Sequence, residues 1–131
     1  MKELSIEAKT ENLDAVLEFI MGELEAVPIK LQTQIAIAVE EIFVNIANYA
    51  YRPEIGGATI RISAGNEITI EFEDKGKPYN PLKNIDPNIT LNAEEREIGG
   101  LGIFMVKKIM DTIEYRHEEN KNLLIIRKLV V

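Results

Sequence analysis

Two short runs, residues 58–64 and 67–73, each alternate apolar and polar side chains at a period of two, with Gly65-Asn66 between them. Such alternation sets one face of a strand against a core and the other toward solvent, and a Gly-Asn pair supports the tight turn of an antiparallel hairpin. The hairpin limits the possible folds because the two segments before it are both helical in pattern. Leu13, Val16, Leu17, Ile20, Met21 and Leu24 fall at helical spacing from Glu11 to near Pro28. Leu31, Ile35, Ala38, Val39, Ile42 and Ile46 carry a second stripe from Pro28 to about Ala50, closed by Pro53 and Gly56-Gly57. Two helices followed by a hairpin are not the repeating strand-helix alternation of a parallel, doubly wound sheet.

The remaining segments extend this pattern. Residues 2–9 alternate through Leu4, Ile6 and Ala8, which predicts a half-buried strand. Residues 74–98 lose all periodicity and gather Gly76, Pro78, Pro81 and Pro87. So long an irregular stretch in a small domain marks a lid, a binding loop or disorder. Residues 100–110 read as a helix, with Leu101, Phe104, Val106, Ile109 and Met110 as candidates for its buried side. Residues 112–118 and 122–130 read as a closing pair of strands, the last nearly continuous in Leu and Ile and therefore expected in the sheet interior. The expected fold is an α/β (α+β) two-layer sandwich. Three helices lie on one face of a mixed, mostly antiparallel sheet of about five strands. A chain of 131 residues suits one domain, 1–131, burying roughly two-thirds of the surface its unfolded form exposes.

Charge narrows the partners. Fifteen Lys and Arg against 22 Asp and Glu give 15 − 22 = −7, so the basic footprint for nucleic acid or an anionic membrane is missing. There is no cysteine, no basic leader before an apolar run, and no apolar stretch of the roughly 18 residues that span a bilayer. A soluble cytoplasmic protein is the expectation.

Three segments carry candidate chemistry. Glu41, Asn45 and Asn48 stand at i, i+4 and i+7 on one side of the second helix, with Tyr49 continuing that side. An amide oxygen from Asn45 with phosphate oxygens is a normal set for magnesium, and a carboxylate one turn away can act as a general base. The same three residues also suit the solvated flank of an amphipathic helix. Asp74 ends a strand before Gly76 and Pro78, where it can accept a hydrogen bond from an exocyclic amine or simply initiate a turn. Gly99-Gly100-Leu101-Gly102 opens a helix, whose free amides attract phosphate, although a plain hinge has the same composition. The glycines form neither a P-loop nor a dinucleotide fingerprint, since the required Lys-Ser/Thr and third glycine are missing. The single histidine, His117, falls on a predicted strand with no Cys or Ser partner pattern, which argues for a structural or partly exposed residue.

In order and spacing the segments become specific: Val39-Glu-Glu41-Ile-Phe-Val-Asn45-Ile-Ala-Asn-Tyr49-Ala50-Tyr51, then Asp74-Lys-Gly76-Lys-Pro78-Tyr79-Asn80-Pro81, then Arg96-Glu-Ile-Gly99-Gly100-Leu101-Gly102-Ile103. They resemble the three boxes of the histidine-kinase-like (GHKL) ATPase superfamily, with its Bergerat ATP-binding fold. Within it, the whole chain most resembles the anti-sigma-factor serine kinases. That resemblance implies ATP and Mg²⁺ as cofactors, Asn45 as the magnesium ligand and Glu41 as the base that activates an acceptor hydroxyl. It further implies Asp74 on the adenine amine with Gly76 giving it room, a lid over residues 77–98, and the amides of Gly99 to Gly102 around phosphate. The implied partners are an anti-anti-sigma protein phosphorylated on serine and a sigma factor, with a possible homodimer. Two positions depart from the family. Many relatives carry a Gly-Thr in the last hairpin where this chain reads Asn120-Lys121-Asn122, and some have His at the Tyr49 position. The expected activity is that of an ATP-dependent serine kinase. The alternative is a non-catalytic module whose nucleotide state sets its grip on a partner, and Glu41 favours the enzyme.

Overall fold

The computed structural model of the chain describes residues 1–51, 53–84 and 100–130. Gly99 and most of the expected 77–98 lid lie outside the described residues. Among those described, five strands form one sheet: β1 (Lys2–Glu7), β2 (Gly57–Ser63), β3 (Glu67–Asp74), β4 (Thr112–Glu118) and β5 (Lys121–Leu129), in the order β1-β2-β3-β5-β4. All four pairings are antiparallel. The expected interior strand β5 has β3 on one side and β4 on the other. Among the described residues three α-helices accompany the sheet: α1 (Leu13–Gly22), α2 (Ile29–Tyr49) and α3 (Gly100–Ile109). No helix among the described residues is long and apolar enough to cross a membrane.

Register explains why one face of the sheet is covered. Ile60 pairs with Phe72 and Ile62 with Ile70, while Ile70 pairs with Ile126 and Phe72 with Leu124, so the apolar members of three strands fall in phase. They form one cluster with Ile35, Val39, Ile42 and Phe43 of α2, Val16 and Ile20 of α1, and Val106 and Met110 of α3. Each large side chain buried there stabilises the fold by about 1.5–3 kcal/mol. The opposite phase is polar. Arg61 pairs with Glu3 at 2.8 Å, Glu73 at 3.3 Å and Glu71 at 3.6 Å on that open face.

The first helix is shorter than its stripe predicts, ending at Gly22 instead of near Pro28. Leu24 and Val27 are still buried, but on a chain of single turns with Leu24 N–H donating to Met21 O and Val27 N–H to Leu24 O. Gln32 of α2 holds the corner by donating its Nε2 to Leu24 O at 2.9 Å and Val27 O at 2.8 Å. A side chain from the next helix thus satisfies carbonyls that a longer helix would have bonded internally.

At its other end α2 meets the segment after β3. Lys77 N–H donates to Ala50 O at 2.9 Å. A Cβ on Gly76 would lie 2.2 Å from that same carbonyl oxygen, so only glycine fits. The bare backbone at Gly76 therefore faces the end of α2, and helix packing by itself already requires the glycine.

Candidate functional site

A cleft opens where the C-terminal half of α2 passes over the ends of β3 and β5, with α3 closing one side. Asn45 and Tyr49 of α2, Asp74 of β3, Asn122 of β5, Tyr115 of β4 and Ile103 of α3 contribute to its wall. Tyr79 flanks it, with its ring 6.3 Å from that of Tyr49. Cross-strand register creates the polar floor, because Asp74 and Asn122 are direct partners and both fall in the core-facing phase.

Asp74 is only 6% exposed. Its Oδ1 accepts from Asn122 Nδ2 at 2.9 Å and from Gly76 N–H at 2.9 Å. Burial pushes its carboxyl above the usual value, against the lowering effect of those two hydrogen bonds. Asn122 also donates to Lys77 O at 2.9 Å, and its Oδ1 accepts from the Tyr115 hydroxyl. That hydroxyl accepts in turn from Tyr79 N–H at 3.3 Å. One buried amide therefore ties three strands and the following segment to a single carboxylate.

Beyond Asn45, where α2 meets α3, the arrangement is different, and Glu41 and Gly102 lie outside the cleft wall itself. Glu41 is partly buried, and burial, followed by the neighbouring Glu40 charge, raises its carboxyl above the ordinary value. Its Oε2 lies 2.0 Å from where a Cβ on Gly102 would stand. Asn45, one turn along α2, has a buried Nδ2 with no hydrogen-bond partner among the described residues. Such an amide still offers a donor, which fits a phosphate oxygen, while its Oδ1 is the atom of the type a hard cation takes. Among the described residues there is no cluster of three or more His, Cys, Asp or Glu side chains able to cage a metal. A cation held through one amide and a ligand's own oxygens matches that donor set.

Of the residues expected from sequence, Asn45, Tyr49 and Asp74 come together in the cleft, and Glu41 comes against Gly102. Gly100 and Leu101 form the described start of α3. Asn48 is exposed and Pro78 is exposed, neither of them in the cleft wall, and Gly99 lies outside the described residues. His117 is exposed on β4. Asn122 and Tyr115 join the cleft wall in addition to the residues the sequence marks as candidates. The signal for Asn122 was nonetheless present, since it keeps the period-two phase of Leu124 and Ile126 and so puts a polar residue on the core face.

The family description "Histidine kinase-like ATPase domain" matches residues 6–128. Among curated proteins, the chain is similar to an "Anti-sigma F factor" of Thermoanaerobacter sp. (strain X514), 34% identical over 93 residues, covering 70% of this chain and 64% of that protein. It is similar to a "Serine-protein kinase RsbW" of Bacillus mycoides (strain KBAB4), 29% identical over 96 residues, covering 70% and 60%. A "Serine/threonine-protein kinase BtrW" of Bordetella bronchiseptica is 22% identical over 96 residues, covering 71% and 67%. The chain thus spans a little less than two-thirds of the length of the first of these relatives.

Proposed function

The chain belongs to the histidine kinase-like ATPase domain family, and we propose that it is an ATP-dependent protein serine kinase acting as an anti-sigma factor in a partner-switching system. Its relatives carry the names anti-sigma F factor and serine-protein kinase. The observation that carries the kinase half of this reading is Glu41, a partly buried carboxylate of raised pKa, one helical turn from Asn45 and against Gly102 of α3.

In this reading Asp74 receives the adenine amine on its Oδ2, because Oδ1 already serves Asn122 and Gly76. The cleft has about 40 Å³ of free volume, room for about three waters at about 10–15 Å³ each, so Tyr79 swings aside as a purine enters. Asn45 is the residue that would hold Mg²⁺, which when bound supplies charge neutralisation on the phosphates. Glu41 accepts the proton of an acceptor serine hydroxyl as the serine oxygen bonds to the γ-phosphorus and the bond to the β-phosphate oxygen breaks, releasing ADP. Amides near Gly100 to Gly102 serve the phosphates, and the 77–98 segment serves as the lid. The proposed partners are an anti-anti-sigma protein bearing the serine and a sigma factor, in the cytoplasm, with the chain acting as one domain and able to pair with a second copy.

The test begins with co-purification in ADP to recover the small regulator, which is then incubated with the chain and Mg-ATP. Phosphoserine on the regulator is expected. Glu41→Ala should reduce transfer by about 10²- to 10⁴-fold while ATP affinity stays within a few-fold. Clear ATP binding by the native chain with no transfer to any co-purifying partner would leave only a nucleotide-gated binding module.

A further inference from the structure

We infer that Gly102 is the positioning residue for Glu41, a role that rests on the kinase reading above. A Cβ at Gly102 would stand 2.0 Å from Glu41 Oε2 and 2.9 Å from Glu41 Cδ, closer than any real Cβ contact. The carboxylate occupies the space where every other residue type has a side chain. Conformational freedom does not account for this glycine, because Gly102 lies within α3 and its φ is not in the left-handed region. In such a position glycine is a poor helix former and alanine the best. The helix accepts the less favourable residue, and the space so created is filled by one catalytic group.

Gly76 provides the contrast. There a Cβ would meet the backbone of Ala50, which cannot give way without moving α2. At Gly102 the obstructed atoms are the far end of a flexible side chain, so an added methyl displaces the Glu41 carboxylate and leaves both helices in place. The amide of residue 102 survives the substitution, and with it any hydrogen bond to phosphate. Gly102→Ala therefore separates positioning of the base from binding of the nucleotide. A displacement near 1 Å at the reacting group can cost about 100-fold in rate.

The experiment compares the native full chain with Gly102→Ala and with a control, Gly22→Ala, at which a Cβ meets nothing within 4 Å. Transfer from Mg-ATP to the co-purified regulator is measured as kcat, ATP affinity by direct titration, and the Glu41 side chain by carboxyl-¹³C NMR. For Gly102→Ala the expected result is a kcat lower by about 100-fold, an ATP Kd within about threefold of native, a moved Glu41 resonance, and a Tm no lower than native. Gly22→Ala should change neither kcat nor the resonance. Native kcat in Gly102→Ala overturns the inference, as does equal loss of kcat and ATP affinity with the Glu41 resonance unmoved. If the native chain transfers no phosphate, the kinase reading fails separately, and the Glu41 resonance alone decides whether Gly102 sets the position of that carboxylate.

Discussion

The two ends of the cleft are made from the same helix and sheet, yet their polar groups are satisfied in opposite ways. At the Asp74 end, the carboxylate, the Asn122 amide, the Tyr115 hydroxyl and two backbone groups bond to one another. At the Glu41 end, Asn45 keeps a buried Nδ2 with no partner among the described residues, and Glu41 rests against bare backbone at Gly102. A buried polar group without a partner costs about 1–3 kcal/mol. The first end is thus tied into the folded framework through Asp74 Oδ1. In the proposed kinase reading the second is completed by what binds there, as suits a place where charge appears only during reaction.

The largest effect that can break this comparison is expected from Asp74→Asn. An amide at this position still accepts from Asn122 and Gly76, so the framework survives, but the charged acceptor for an exocyclic amine is lost. Calorimetric titration should find ATP affinity lower by about 100-fold, since a hydrogen bond to a charged group is worth about 1.5–3 kcal/mol and about 1.4 kcal/mol is tenfold. Stability should move the other way. The Asp74 carboxyl is raised in the folded state, so its contribution is fully present below its unfolded value of 3.8 and is lost as pH rises through the raised folded value. The substitution removes that loss. Urea midpoints for Asp74→Asn should therefore gain on native as pH is taken from below 3.8 toward neutrality, and a gap that stays constant with pH would show that the buried charge is not what burial costs here.

A smaller effect sharpens the claim that this end is framework. Asn122→Ala strips Asp74 Oδ1 of one donor and leaves Lys77 O and the Tyr115 hydroxyl without that partner. Urea unfolding should report a loss of about 1–3 kcal/mol. Unchanged stability would place Asn122 with ligand binding alone.

The smallest expected effect lies at the tip of the hairpin that carries Asn122. Glu119 and Asn120 both have positive φ, 54° and 61°, the pattern of a two-residue turn that favours Asn and Gly. Asn120 suits it and Glu119 does not, so Glu119→Gly should stabilise by about 0.5–1 kcal/mol in thermal unfolding. ATP affinity should not follow, because the tip belongs to neither end of the cleft.

Much of this molecule was legible before any coordinates. The period-two runs became β2 and β3, the stripe from Leu31 to Ile46 became the buried side of α2, and the closing strands came within a residue or two of their observed bounds. The placement of Glu41 and Asn45 on one helix and of Asp74 at a strand end was legible because spacing and strand ends are local properties. The end of α1 departs from its apolar stripe, because Leu24 continues the stripe while Gln32 of α2 caps the corner instead. Asn48 shares the helical side of Glu41 by count, yet it is exposed, since the cleft wall follows the neighbours of α2 as well as its own turns.

By itself the sequence determined which segments are helix and strand, which faces are apolar, and where the candidate polar groups fall along them, because each depends on side chains a few residues apart. Only the tertiary structure decided what those groups touch. Asn122 reaches Asp74 across 48 residues because β5 pairs with β3 in one register. A side chain at Gly76 would meet the backbone of Ala50, and one at Gly102 would meet the Glu41 carboxylate. Such contacts arise from packing between distant segments, where a shift of one residue turns every side chain of a strand to the other face.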